Sequence, residues 1–364
     1  MSVIESIRGV LWARRHRPDR MAVVLGASHE RFSPLELLRQ AVLAEEAGFD
    51  GVACSDHLTP WWVPGGLAPA HCGNAWVWLG AAAQATSGIA LGTGVTGVVH
   101  RYNPVVVAQQ VATLEALAPG RAFLGVGSSE AMNEVPAGME WPDTAEQLQR
   151  TAEALEIIVR LLDGETLDFR GVYFTTRGAR LYDRPARRPP VIVSAFHEQI
   201  AEVAGQLADG IWTLGSPVTA PKVIAAYRRG AEKAGREPGE IWLQTLAATG
   251  EDDDAALHGS REWKPALLPE LYTDDIHATD AIQAKGEGVS DDQFTRANLV
   301  TADPDSHVAK LRLLGELGAT GVVVVNASGA DPEGLIRLYG AEVLPRLRNG
   351  DEGRAGPAGA PPRS

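Results

Sequence analysis

Two stretches of this chain place residues able to move protons at the ends of apolar runs. Asp56 and His57 follow the run Gly51–Ser55 directly, and Pro60, Trp61 and Trp62 come next. A carboxylate beside an imidazole suits acid–base work, because the imidazole exchanges its proton near neutrality. The same pair equally suits a turn cap and a structural histidine. The second stretch is Gly125-Val126-Gly127-Ser128-Ser129-Glu130-Ala131-Met132-Asn133-Glu134. Its glycines let a backbone come close to a planar ring or a phosphate, and Glu130 could exchange a proton there. Alternatively, Glu130 and Asn133 cap the helix that starts at this point.

Other residues could complete such a site. Ser28-His29-Glu30 ends an earlier apolar run and supplies another carboxylate. Gly92, Gly94 and Gly97 lie among Thr93, Val95 and Thr96, a pattern that admits a flat cofactor or a neighbouring backbone at close range. Trp61, Trp62, Trp76 and Trp78 are four of the nine tryptophans and point to a ring-stacking, water-excluding pocket, with Trp76 and Trp78 also readable as core. The spacings of zincins, CxxC redox sites, Gly-x-Ser-x-Gly esterases and EF-hands do not occur, so no metal is expected.

The elements that must position these residues follow a βα rhythm. Eight strand-like runs are expected at Ala22–Ala27, Gly51–Ser55, Ala90–Val95, Ala122–Val126, Val191–Ala195, Gly210–Leu214, Ile241–Thr249 and Gly321–Asn326. Amphipathic helices are expected at Pro34–Ala47, Pro104–Leu117, Ala145–Leu162, Ala220–Ala234 and Asp305–Leu317. Eight strands with intervening helices close into a (β/α)₈ TIM barrel, which removes both sheet edges; a doubly wound sheet is the second choice. In a barrel the strand ends named above share one rim. Residues 166–181 read as a small hairpin after the fourth helix, and residues 252–301 as an insertion after the seventh strand able to cover the pocket. Residues 1–20 read as an extension, 21–348 as one barrel domain, and the Gly/Pro-rich residues 349–364 as a disordered tail.

Against 33 basic residues stand 46 acidic ones, a net charge of −13, which disfavours nucleic acid and anionic membrane surfaces and leaves a small molecule as partner. Two cysteines, Cys54 and Cys72, and the lack of a signal-like or membrane-spanning run point to the cytoplasm.

Taken together, Ser55-Asp56-His57-Leu58-Thr59-Pro60-Trp61, Arg101-Tyr102-Asn103-Pro104, and Gly125-Val126-Gly127 with Glu130-Ala131-Met132-Asn133-Glu134 resemble the luciferase-like, coenzyme F420-dependent barrel oxidoreductases. Within that family they are similar to the glucose-6-phosphate dehydrogenases and secondary alcohol dehydrogenases, over roughly residues 24–347. The resemblance implies a deazaflavin in the barrel mouth, with FMN as the alternative cofactor, and a homodimer. It implies that Asp56, Asn133 and the Gly94-Val95 backbone hold the ring, the latter through a non-prolyl cis peptide. Gly127, Ser128, Ala195, Phe196 and His197 are expected as further cofactor contacts.

It also implies that His57, Trp61 and Glu130 surround the reacting carbon, with Glu30 as a further pocket glutamate; Trp76, from the tryptophan-rich stretch, and Asp274 are also expected to contact substrate. His57 suits the base that takes a carbinol proton, and Glu130 the donor to the ring; sequence leaves open which group moves which proton. Two departures stand out. The family's phosphate-holding lysines and arginine fall near Pro217, Thr273 and Ala297, with Asp274 and Asp275 alongside, so an unphosphorylated alcohol, polyol or aminosugar, including a cationic one, is expected. The glycine-rich turn after the fifth strand is replaced by Ser194-Ala195-Phe196-His197-Glu198-Gln199. Net epimerisation of a carbinol, FMN-dependent oxygenation and a non-catalytic flavin-binding barrel are the other readings.

Overall fold

The structure, a computed structural model, describes residues 20–65, 68–329 and 331–351. Apart from Arg20, the expected N-terminal extension lies outside the described residues, as does the tail beyond Asp351. The last helix reaches Asp351, so the chain stays helical slightly past the expected start of the tail.

Eight parallel strands form the barrel: β1 (Ala22–Ala27), β2 (Gly51–Cys54), β3 (Ala90–Thr93), β4 (Ala122–Gly127), β5 (Val191–Ser194), β6 (Gly210–Leu214), β7 (Glu240–Ala248) and β8 (Gly321–Asn326). They pair in chain order, and β8 bonds to both β1 and β7, which closes the sheet. Most of these strands are buried along their length, as strands covered on both faces must be, which is why they read as continuous apolar runs. The boundaries match the expected ones to within a residue or two.

The outer layer contains α1 (Pro34–Ala47), α2 (Ala75–Ala85), α3 (Pro104–Leu117), α4 (Thr144–Leu162), α5 (Glu198–Leu207), α6 (Ala220–Lys233), α7 (Pro304–Glu316) and α8 (Pro332–Leu338, continuing to Asp351). Local chemistry sets their ends. In α1, Pro34 opens the helix, Ser33 and Glu36 form a capping box, and Gly48 closes it at φ 91°.

The barrel interior holds a small layer of large side chains, Phe123, Trp212 and Trp242 with Val24, Ile192 and Val323. Glycines make room for it. A Cβ on Gly125 would lie 2.0 Å from the Thr93 carbonyl oxygen, so β3 and β4 approach only because the side chain is missing. Gly125→Ala is therefore expected to lower stability by about 1–3 kcal/mol, the range for overpacking, as measured by chemical denaturation.

Residues 166–181 form a hairpin-like excursion held by two antiparallel bridges, Leu167 with Ala179 and Arg170 with Thr175. The insertion after β7 is mainly helical: Asp253–His258, Arg261–Leu267, Pro269–Tyr272, Thr279–Glu287 and Asp291–Ala297. It has its own apolar core, in which Trp263, Leu271, Ile282 and Phe294 pack with Trp61 and Trp62 of the β2 loop. This packing fixes the insertion over the rim that follows β1, β2 and β4. Among the described residues no helix is long and apolar enough to cross a membrane.

Candidate active site

Three loops at the C-terminal ends of the strands are tied into one unit. Leu58 N–H donates to Asn133 Oδ1 (2.8 Å), and Thr59 Oγ1 donates to the Met132 carbonyl. Arg101 N–H donates to Glu134 Oε2 (2.8 Å), while its guanidinium donates to the Asp56 carbonyl (2.5 Å). The three sequence motifs are therefore in physical contact.

Asp56 is a framework residue as much as a wall of the site. Its carboxylate accepts from Thr96 Oγ1 (2.8 Å) and Tyr102 O–H (3.2 Å), with Arg101 Nη2 at 3.5 Å. Burial first, and the Asp56 charge second, push the Tyr102 phenol up to about 12, so it remains a donor throughout the neutral range. Glu134, fully buried behind this unit, has its carboxyl raised by burial.

Glu130 and His57 face each other across Asn133. Ser129 takes a left-handed conformation (φ 75°), uncommon for a residue with a side chain, and turns the chain from β4 into the short helix Ala131–Glu134. Glu130 occupies the N-cap position but makes no capping bond; its Oε2 accepts from Asn133 Nδ2 at 2.8 Å. Asn133 Nδ2 also lies 3.2 Å from His57 Nδ1. On the far side of the imidazole, Nε2 lies 3.3 Å from Glu30 Oε1, and Glu30 Oε2 accepts from Ser55 Oγ (2.6 Å). The Glu130 side chain therefore does not cap the short helix, while His57 has a partner at each ring nitrogen.

These groups line an inner chamber of about 120 Å³. Glu30, Asp56, His57, Trp61, Gly94, Val95, Glu130 and Asn133 are all on its wall. The peptide between Gly94 and Val95 is cis, in agreement with the expectation. A wider groove of about 390 Å³ adjoins it, with Gly127, Ser128 and His197 on its wall. Val95, Ser129, Glu130, Ser194, Phe196 and Tyr272 belong to both. Among the described residues no Lys or Arg lines either cavity.

Several expectations need correcting. Trp76 sits half-buried on α2 against the outer core and lines neither cavity, because the helix turns it away from the rim. Trp78 is likewise structural: its indole donates to the Pro34 carbonyl (3.0 Å), and its ring meets His29 edge-on. Asp274 is exposed and accepts from Thr273 Oγ1, and Asp275 is exposed and paired with His277. Neither reaches the pocket, so the charge they were expected to bring there is absent. Pro217 and Ala297 are also exposed and outside both cavities; only Thr273 of the three expected phosphate-holding positions lines the groove. Ala195 is buried behind the wall, its N–H donating to the Trp212 carbonyl (2.8 Å).

Sequence reasoning missed Tyr272, Trp263, Trp212 and Gln244. Tyr272 is the roof shared by chamber and groove, with ring centroids 5.9 Å from Trp61 and 5.2 Å from Phe196. Its phenol is raised by burial and by the charges of Glu130 and Glu30, and it donates to the Ala266 carbonyl (2.9 Å). Trp212 forms part of the floor, where its indole donates to Gln244 Oε1 (2.8 Å). Trp212 lies on an expected strand, but in a run whose only polar side chain is Thr213 nothing marks which face looks into the barrel. Among the described residues no three His, Cys, Asp or Glu side chains cluster so as to hold a metal ion.

Comparisons with known proteins agree with this architecture. The family model described as luciferase-like monooxygenase matches residues 9–321. The F420-dependent glucose-6-phosphate dehydrogenases of Microbacterium testaceum and Nakamurella multipartita are each 38% identical over 327 residues, covering 88% of this chain and 96% and 95% of theirs. A solved F420-dependent secondary alcohol dehydrogenase, in complex with an F420-acetone adduct, superposes with a TM-score of 0.86 at 31% identity, over 90% of this chain and 99% of that one. At 21% identity and a TM-score of 0.73, the coenzyme F420 dependent tetrahydromethanopterin reductase from Methanopyrus kandleri shares the fold, over 90% of this chain and 99% of its own. On the extent of these matches, the chain belongs to the luciferase-like monooxygenase family.

Proposed function

We propose that this protein is a coenzyme F420-dependent oxidoreductase acting on the carbinol carbon of an unphosphorylated alcohol, sugar or aminosugar. The observation that carries the reading is the position of Glu130 on the shared wall of groove and chamber, where one carboxylate serves both ring and substrate. The relatives named F420-dependent dehydrogenases support the choice of cofactor.

The residues present fit a deazaflavin. The groove is of the size that takes a tricyclic ring, and its wall at Gly127 is bare backbone, where an added Cβ would press on Val95 at 3.0 Å. Val95, Gly127 and Ser128 would hold the ring, and the segment from Phe196 to Ile200 would face the tail. At the start of α5 the His197 side chain makes no capping bond, which leaves backbone N–H groups there for a phosphate. When bound, the deazaflavin supplies a two-electron acceptor that takes hydride at C5.

The chain itself supplies the rest. Trp61, Trp263 and Tyr272 exclude water from the chamber. The Trp61 indole N–H can hold the substrate oxygen, and the network joining Glu30, His57, Asn133 and Glu130 manages the carbinol proton. Three carboxylates, with no Lys or Arg on the walls among the described residues, repel a phosphate and favour a neutral or cationic substrate. We also propose the homodimer that the family resemblance implies, which light scattering reads directly.

The test is a fluorescence titration with F420 and with FMN, followed by a substrate panel. F420 is expected to bind, and its absorbance to fall with unphosphorylated carbinols. Glucose-6-phosphate should react at least about 100-fold more slowly than the best of them, the factor that corresponds to about 2.7 kcal/mol of like-charge repulsion. Efficient turnover of glucose-6-phosphate would reject the substrate class, and micromolar FMN binding without F420 binding would reject the cofactor. Product stereochemistry separates dehydrogenation from net epimerisation.

A further inference from the structure

The hydrogen bonds around Asn133 determine more than its own position. Its Oδ1 accepts from Leu58 N–H (2.8 Å), a backbone donor that cannot reverse its role. Its Nδ2 faces Glu130 Oε2 (2.8 Å), an acceptor. Turning the amide over would set donor against donor at Leu58 and oxygen against oxygen at Glu130, so its orientation is fixed from both ends. The second Nδ2 hydrogen then points at His57 Nδ1, 3.2 Å away. That ring nitrogen must present a lone pair, because a proton on it would meet the amide hydrogen head-on. A neutral imidazole carries one N–H, so the proton sits on Nε2, where it faces Glu30 Oε1 at 3.3 Å.

We propose that Asn133 is a positioning residue that holds His57 as the Nε2–H tautomer, so that His57 serves as a hydrogen-bond donor and is not the base for the carbinol proton. This rests on the reading of the site as a carbinol oxidoreductase. With Nδ1 accepting from Asn133 and Nε2 already protonated, His57 has no lone pair to offer a substrate. Both Glu30 oxygens are engaged, one by Ser55 Oγ and one by His57 Nε2. Glu130 differs: Oε2 is held by Asn133, and no hydrogen bond is made to Oε1 among the described residues. In the oxidation direction the O–H proton passes from the carbinol oxygen to Glu130 Oε1, which becomes neutral. The C–H bond leaves its electron pair with the hydride, for which a bound deazaflavin would be the acceptor, and a carbonyl remains.

The tautomer can be read without cofactor or turnover. In protein labelled with ¹⁵N in its imidazoles, long-range ¹H–¹⁵N correlations at pH 8, with His57 assigned by the loss of its signals in His57→Gln, should show a protonated Nε2 and an unprotonated Nδ1. In Asn133→Asp, where a carboxylate oxygen replaces the amide hydrogens, Nδ1 should become protonated. A wild-type His57 protonated on Nδ1, or an unchanged pattern in Asn133→Asp, overturns the assignment even if no F420-dependent activity is found. In turnover, His57→Gln should lose about tenfold or less, the worth of one neutral hydrogen bond, and Glu130→Gln at least about 100-fold. Equal losses would return the base role to His57.

Discussion

Replacing Glu130 by Gln is expected to lower kcat with F420 and an unphosphorylated carbinol by about 10²- to 10⁴-fold, the usual contribution of a positioned general base. Gln keeps the shape, and its amide oxygen can still accept from Asn133 Nδ2, which Glu130 Oε2 meets at 2.8 Å. The loss should therefore fall on proton transfer rather than on the fold or on ring binding. The check is a pair of measurements on one preparation: cofactor affinity from fluorescence quenching and kcat from stopped-flow absorbance. Affinity and kcat falling together would mean that Glu130 holds the cofactor instead of serving the substrate.

Arg31→Met is expected to destabilise the protein by about 3–5 kcal/mol at pH 7, the range for stranding one partner of a buried ion pair. Arg31 follows Glu30 directly, and Glu262 lies in the insertion after β7. Their Nη1 and Oε1 atoms approach to 2.5 Å with side chains only 8% and 3% exposed, a contact that is close but poorly aligned for a hydrogen bond. Burial raises the Glu262 carboxyl and the Arg31 charge pulls it back, so removing Arg31 leaves the first influence unopposed. The sign of the pH dependence follows. With its folded-state value raised above the unfolded one, Glu262 binds more protons folded than unfolded. The deficit of the variant should shrink as pH falls toward the ordinary carboxylate range and be complete above the raised value. Urea denaturation at pH 5 and pH 8 tests this, and Arg31→Met with Glu262→Gln should recover most of the loss. A deficit below about 1 kcal/mol at pH 8 would put the pair among solvent-screened surface bridges.

The second effect has a functional side, because the ion pair anchors the insertion that carries Trp263 and Tyr272 over the chamber. Val63 N–H donates to Gln283 Oε1 (2.9 Å), and Trp62 meets Trp263 edge-on at 5.1 Å. A loosened roof would admit water to the chamber, and Arg31→Met should then raise KM before it lowers kcat.

The barrel was legible in the sequence because parallel strands covered on both faces are unbroken apolar runs, and these repeat eight times between amphipathic helices. The motifs after β2 and β4 were legible because strand ends set polar residues on one rim whatever the loops do. That information is local, and it placed Glu30, His57, Trp61, Glu130 and Asn133 on one chamber wall. Residues without a local signal were not placed. Tyr272 and Asp274 stand two positions apart in a segment with no strand rhythm, yet one roofs the cavity and the other faces solvent. Trp61 and Trp76 both sit in the tryptophan-rich stretch, but a loop turns the first inward and α2 turns the second outward.

The sequence by itself therefore determined the barrel, its rim and the types of group that meet there, since each depends on the periodicity or termination of a single element. Only the tertiary structure decided what those groups can do. Whether His57 accepts or donates a proton depends on an amide oriented by the Leu58 N–H from the β2 loop and by the Glu130 carboxylate at the end of β4. No spacing along the chain encodes that geometry, because hydrogen-bond roles are settled by partners that meet only when the barrel closes.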